Sequence, residues 1–157
     1  MQPVVRITKK FRYEGAHTLI GYDGKCRHLH GHSYLMYVTV KGHPSTRSDD
    51  PKKGMILDFK LLKSLVERTL IDRFDHALVL PEGAPLADEI RAAYDNVISL
   101  PFQPTSENMV TYFAEELMKV FPEGIELFSI RLYETESSYV EWFASDNLPE
   151  DRQAQTR

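Results

Sequence analysis

Two early stretches carry strand patterns before any helical spacing begins. Residues 4–13 alternate loosely and carry β-branched and aromatic side chains, which predicts a first strand. Residues 15–27, rich in Gly, Asp and Lys, predict a loop. Residues 33–41 give the clearest strand pattern in the chain. Residues 42–54, with two prolines and five charges, predict a solvated turn, after which 55–57 is expected to rejoin the sheet briefly. From Asp58, a helix cap, the period becomes helical, with Leu61, Leu62, Leu65, Thr69 and Asp72 on one flank. The four prolines of 81–104 predict short structure only, with a helical turn at 88–94. Thr105 or Ser106 opens a second helix whose buried stripe is Met109, Val110, Phe113, Leu117 and Val120, and Pro122 and Gly124 end it. Strands at 125–133 and 139–143 flank a turn at 134–138.

The order ββααββ predicts an α+β fold, a four-stranded antiparallel sheet with two helices packed on one face. Residues 1–145 are expected to form a single domain and 146–157 a polar C-terminal tail. The length of 157 residues suits one core. The formal net charge of −4 gathers neither nucleic acid nor anionic lipid, so an anionic ligand needs locally placed cations. No apolar run reaches the length of a membrane span and residues 1–10 lack a signal-peptide core, so a cytoplasmic location is the default expectation.

The histidines change the picture. His30 and His32, separated by Gly31, project to the same side of an extended backbone at the entry to the strongest strand. His17, near the end of the preceding strand, can add a third nitrogen. Three protein ligands with one open position is the pattern of catalytic zinc, although copper, nickel or iron also accept imidazole. His28 and His43 have no partner at useful spacing, and position 28 joins the same face only if the strand starts early. The alternative for the whole set is a group of ordinary hydrogen-bonded or surface histidines.

Cys26 is the only cysteine, which excludes an intrachain disulfide and leaves inert packing, metal ligation or a reactive thiol. It lies four residues before His30, and a cation nearby favours the thiolate, which can serve as a general base. Asp75 and His76 follow the first helix; as neighbours in sequence they are expected to face different partners. Glu107 in the first turn of the second helix complements its dipole, and Glu134 at a strand end reads as a solvated turn carboxylate.

Taken together, Phe11-Arg12-Tyr13-Glu14-Gly15-Ala16-His17, Cys26-Arg27-His28-Leu29-His30-Gly31-His32, Met55-Ile56-Leu57-Asp58-Phe59, Phe74-Asp75-His76-Ala77-Leu78, Pro104-Thr105-Ser106-Glu107-Asn108 and Tyr133-Glu134-Thr135 resemble the 6-pyruvoyl-tetrahydropterin synthase and 6-carboxy-tetrahydropterin synthase family over residues 5–143. The resemblance implies a tunnelling fold, assembled as a homohexamer made of two trimers with active sites at subunit interfaces. It implies Zn2+ on His17, His30 and His32, and Cys26 as proton acceptor assisted by Asp75 and His76. It further implies Glu134 as pterin anchor and part of the proton relay, with Thr105, Ser106 and Glu107 beside the pterin.

The spacing from Cys26 to His30 resembles the queuosine-pathway branch. That implies conversion of 7,8-dihydroneopterin triphosphate to 6-carboxy-5,6,7,8-tetrahydropterin with release of acetaldehyde and triphosphate. The alternatives are a 6-pyruvoyl-tetrahydropterin synthase or related side-chain-cleaving enzyme, and a zinc-stabilised scaffold without chemistry. Leu78-Val79-Leu80 departs from the family's usual Leu-Asn after the Asp-His pair, and 81–103 is longer than compact relatives need.

Overall fold

The computed structural model describes residues 1–149. Two long strands form its centre: β1 (Val5–His17) and β2 (His30–Gly42) pair antiparallel along their whole length, from Val5 opposite Gly42 to His17 opposite His30. Both extend beyond the stretches expected from sequence: β1 continues through Gly15 to His17, within the expected loop, and β2 begins three residues before Ser33, at His30.

A helical segment follows. Asp58 caps it by accepting from the Lys60 N–H at 2.7 Å, and α1 (Phe59–Val66) runs through a widened π segment (Glu67–Ile71) into α2 (Asp72–Phe74). Its buried residues are Leu62, Val66, Leu70 and Phe74, spaced strictly by four. In an ideal α-helix such a stripe drifts about 40° per step, and the wider π turn absorbs that drift. Leu61, expected on the apolar flank, is exposed. Residues 55–57 do not rejoin the sheet.

The expected four-stranded, purely antiparallel ββααββ sheet is incorrect. The sheet has six strands in the order β4-β3-β1-β2-β5-β6 and is mixed. β3 (Ala77–Pro81) pairs parallel with the end of β1, Gly15 opposite Ala77, and β4 (Val97–Leu100) pairs parallel with β3. The prolines at 81 and 101 end these strands and do not prevent them, and the unbroken apolar run 77–80 has the pattern of a strand buried on both faces. A short helix, α3 (Ala87–Ala93), connects them.

α4 (Ser106–Met118) returns across the sheet, and β5 (Glu126–Tyr133) and β6 (Tyr139–Phe143) complete its other edge antiparallel. One core lies between the helices and one face of the sheet, with Phe113, Leu117, Leu62 and Val66 packed on Met36, Val38, Ile130 and Leu132. Val120, expected in the α4 stripe, falls past the helix end and is exposed. The chain closes with α5 (Ala144–Asn147), which begins the expected tail; residues 150–157 of that tail lie outside the described residues. Among the described residues no helix is long and apolar enough to cross a membrane.

Candidate metal centre and its cavity

The register of β1 and β2 brings the histidines together. His17 stands directly opposite His30, and His32 follows two residues on, on the same face as His30. The three offer ring nitrogens that all lie within 4.8 Å of one another. His17 is buried, while His30 and His32 are half-buried.

Hydrogen bonds at the far side of the rings fix which nitrogen is presented. His17 Nδ1–H donates to the Pro104 carbonyl at 2.7 Å, and His30 Nδ1–H donates to the His28 carbonyl at 2.7 Å. A carbonyl only accepts, so both rings must carry their proton on Nδ1. Their Nε2 atoms are turned toward each other, 3.0 Å apart, and in the neutral rings each is a lone pair. Two lone pairs facing each other repel unless a cation lies beside them. Burial lowers the pKa of His17, outweighing its carbonyl bond and Glu134, so a proton is disfavoured there and a metal ion fits the donors better. His32 is likewise lowered, by burial first, and its Nε2 is buried without a hydrogen-bond partner. Three imidazoles, two oriented by backbone carbonyls and one with an orphaned nitrogen, suit a divalent ion of the zinc type.

Tyr34 supplies an apolar floor. Its ring meets His32 at 5.5 Å and His17 at 6.4 Å edge-on, and stacks on Tyr13 at 4.7 Å. Burial raises both phenols, with Glu134 adding to it, so they stay neutral.

Beside this centre opens a cavity of about 420 Å³, lined by His17, Cys26, Tyr22, Ser106, Glu107 and Glu134 among others, including Thr105. Cys26 is half-buried, in a 3-10 turn (Lys25–Arg27) that begins at Gly24. The added Cβ of any larger residue at 24 would sit 2.5 Å from the Tyr22 ring. Thr105 caps α4 by accepting from the Asn108 N–H. Glu134 is not the solvated turn carboxylate that its position suggested. Ser106 Oγ donates to its Oε2 at 2.5 Å, and its Oε1 lies 3.5 Å from His32 Nε2.

Asp75 and His76 occupy a different place. The expectation that they face different partners is also incorrect, since His76 Nδ1 lies 3.0 Å from Asp75 Oδ1. Neighbours can meet this way because His76 adopts a left-handed backbone, φ 59°, fixed by its N–H donating to the Glu14 carbonyl at 2.6 Å. The Glu14 N–H holds the Asp75 carboxyl below its ordinary range, with His76 adding to the effect. His76 is exposed and lines a second cleft of about 700 Å³, with His32, Leu29, Leu78 and Tyr94. The pair does not line the cavity that holds Cys26.

Sequence reasoning missed the groups that support the site: the carbonyls of His28 and Pro104, the Tyr13–Tyr34 stack and Glu14. Backbone carbonyls leave no residue-type signal, and aromatic residues in a strand look like ordinary core.

The fold and centre define a class: a helix-and-sheet protein with a three-histidine candidate metal site, built on paired strands, whose His17 lines a cavity shared with a thiol. The model of one family, 6-pyruvoyl tetrahydropterin synthase, matches residues 6–144, and the chain belongs to that family. It is similar to the 6-carboxy-5,6,7,8-tetrahydropterin synthase of Haemophilus influenzae, 33% identical over 141 residues covering 87% of this chain and 97% of the relative. The 6-pyruvoyl tetrahydrobiopterin synthase of Pongo abelii is 33% identical over 119 residues, 74% of this chain and 69% of that protein. Among solved structures, an uncharacterized protein from Wolinella succinogenes matches with TM-score 0.74 at 22% identity, covering 90% of this chain and 98% of that one. The 6-pyruvoyl tetrahydropterin synthase of Caenorhabditis elegans matches with TM-score 0.66 at 24% identity, covering 90% and 96%. At these identities the solved structures bear on the fold alone.

Proposed function

We propose that this chain is a zinc-dependent lyase that converts 7,8-dihydroneopterin triphosphate and one water to 6-carboxy-5,6,7,8-tetrahydropterin, acetaldehyde and triphosphate. The observation that carries the proposal is the convergence of three imidazoles, two with Nε2 atoms 3.0 Å apart, on the edge of the cavity that also holds Cys26 and Glu134. Several relatives across nearly their whole length bear the 6-carboxy name, which favours that product over the pyruvoyl one.

His17, His30 and His32 would hold the metal. When bound, zinc supplies Lewis acidity toward the hydroxyls of the substrate side chain, making the adjacent C–H groups more acidic. Cys26 would accept a proton from such a carbon across the cavity. Glu134, held by Ser106, keeps lone pairs to accept two hydrogen bonds from the pterin ring N–H and amino group. Thr105 and Glu107 line the same cavity, at the N-terminus of α4.

Asp75 and His76 would pass the proton onward, but they do not share the Cys26 cavity in one copy of the chain. The proposed active form is therefore a homo-oligomer, a hexamer built as two trimers, in which a second copy brings its Asp75–His76 pair to Cys26. Neither cavity is lined by a Lys or Arg, so the cations that meet the triphosphate would also come from outside the cavity walls of one copy. The test is product analysis of zinc-loaded protein with 7,8-dihydroneopterin triphosphate. Acetaldehyde with the carboxy product is expected; a pyruvoyl product would move the chain to the other branch, and no turnover would leave only a zinc-stabilised scaffold.

A further inference from the structure

The loop that carries Cys26 has little core of its own. Its base is closed by the Leu19 N–H donating to the Cys26 carbonyl at 3.1 Å and Thr18 Oγ1–H donating to the Arg27 carbonyl at 2.7 Å. Between these ties the chain passes through residues 20–24, which include Gly21 at φ 77°, and Ile20 and Tyr22 are exposed. One side chain from elsewhere in the molecule grips this arm. Gln103 accepts from the Ile20 N–H at 3.1 Å through Oε1 and donates to the Ile20 carbonyl at 2.7 Å through Nε2. A primary amide is well suited to this, since it offers a donor and an acceptor side by side in one plane.

The same short segment is bonded to two other parts of the site. The Gln103 carbonyl accepts from Asn108 Nδ2 at 2.9 Å, the Pro104 carbonyl accepts from His17 Nδ1–H, and Thr105 caps α4. Residues 103–105 therefore tie together a metal-ligand histidine, the wall made by Thr105, Ser106 and Glu107, and the cysteine loop. The last of these ties runs through the Gln103 side chain, which can be replaced without touching the others.

We propose that Gln103 is a positioning residue that sets the Cys26 thiol in register with the metal centre through its two-bond grip on Ile20. This rests on the reading of Cys26 as the proton acceptor. Removing the grip leaves the histidines and their carbonyls in place and lets the thiol-bearing arm shift. A displacement near 1 Å of a reacting group costs on the order of 100-fold in rate.

Gln103→Met keeps the length and removes both bonds; Gln103→Glu keeps the size and the acceptor for Ile20 N–H, but turns a carboxylate oxygen toward the Ile20 carbonyl. Cys26 is the only cysteine, so its alkylation by iodoacetamide reads that loop alone. Both variants are expected to bind zinc as the parent does, to lose kcat by about 10- to 100-fold with KM changed less than about twofold, and to alkylate several-fold faster. Hydrogen exchange at the Ile20 amide should accelerate in Gln103→Met. Unchanged alkylation and kcat despite faster Ile20 exchange would overturn the proposal. Loss of zinc together with activity in both variants would also overturn it, because Gln103 would then support the metal and not the thiol. If the parent protein fails to turn over the pterin, the alkylation and exchange results still decide whether Gln103 positions the thiol.

Discussion

Each of two ligand histidines is oriented by the nitrogen it turns away from the centre. Because Pro104 and His28 offer carbonyls, His17 and His30 keep a proton on Nδ1 and turn Nε2 toward the site. Under the proposed function, His30→Ala is expected to lose both bound zinc and activity, measured by metal analysis and turnover; full metal occupancy would contradict the ligand set. Cys26→Ala should retain zinc and lose at least about 100-fold in kcat, the scale of a general base. Loss of zinc in that variant would make the thiol a ligand. The pH dependence has a definite sign. Burial depresses His17 and His32 below the ordinary 6.5, so the folded chain binds fewer protons there than the unfolded one. Stability and metal affinity are therefore fully present above about 6.5 and are lost as pH falls toward the depressed values. Thermal melts and zinc titrations at pH 7.5 and 5.5 check this, and metal affinity that does not fall on acidification would contradict it.

At the scale of the element, the ligands depend on how closely β1 and β2 approach. Gly31 lies between His30 and His32, and a Cβ there would meet the Gly15 carbonyl oxygen at 3.0 Å. Gly31→Ala is expected to push the strands apart by a few tenths of an ångström and weaken zinc binding while the fold survives; unchanged affinity in a zinc titration would show that the strands absorb it. Phe113→Ala, in the stripe of α4 that packs on the sheet, should destabilise by about 3–5 kcal/mol in denaturant unfolding without a direct effect on the ligands. Much of this scale was legible in the sequence. Residues 33–41 are strand as expected, with burial alternating along β2, Asp58 caps the helix it was expected to cap, Thr105 is the one of the two expected residues that caps α4, and 139–143 is β6. Legibility failed where two signals competed. The prolines and charges of 81–104 masked the edge strand β4, and β3 depends on the parallel partner that β1 offers at Gly15. The histidine cluster could be read because spacing two has one meaning in a strand; the contact of Asp75 with His76 could not, because it requires a left-handed residue that His does not advertise.

For the whole molecule, the central fact is the separation of the two halves of the proposed proton path. Cys26 lines one cavity, to which His17 contributes, and His76 lines another, to which His32 contributes. If a second copy completes each site, Cys26→Ala and His76→Ala are each inactive alone. Mixed under conditions that exchange subunits, they should regain up to about a quarter of parental activity, as random assembly of a symmetric oligomer dictates. No recovery in demonstrably mixed oligomers would place both groups in one copy. All of these expectations depend on one cation held by three imidazoles beside the thiol. The most direct measurement is anomalous scattering at the zinc edge from crystals of the zinc-loaded protein. The account predicts a single peak about 2.0–2.1 Å from the ring nitrogens of His17, His30 and His32, with the Cys26 sulfur outside bonding distance. A peak elsewhere, or one bonded to Cys26 in place of a histidine, would contradict it.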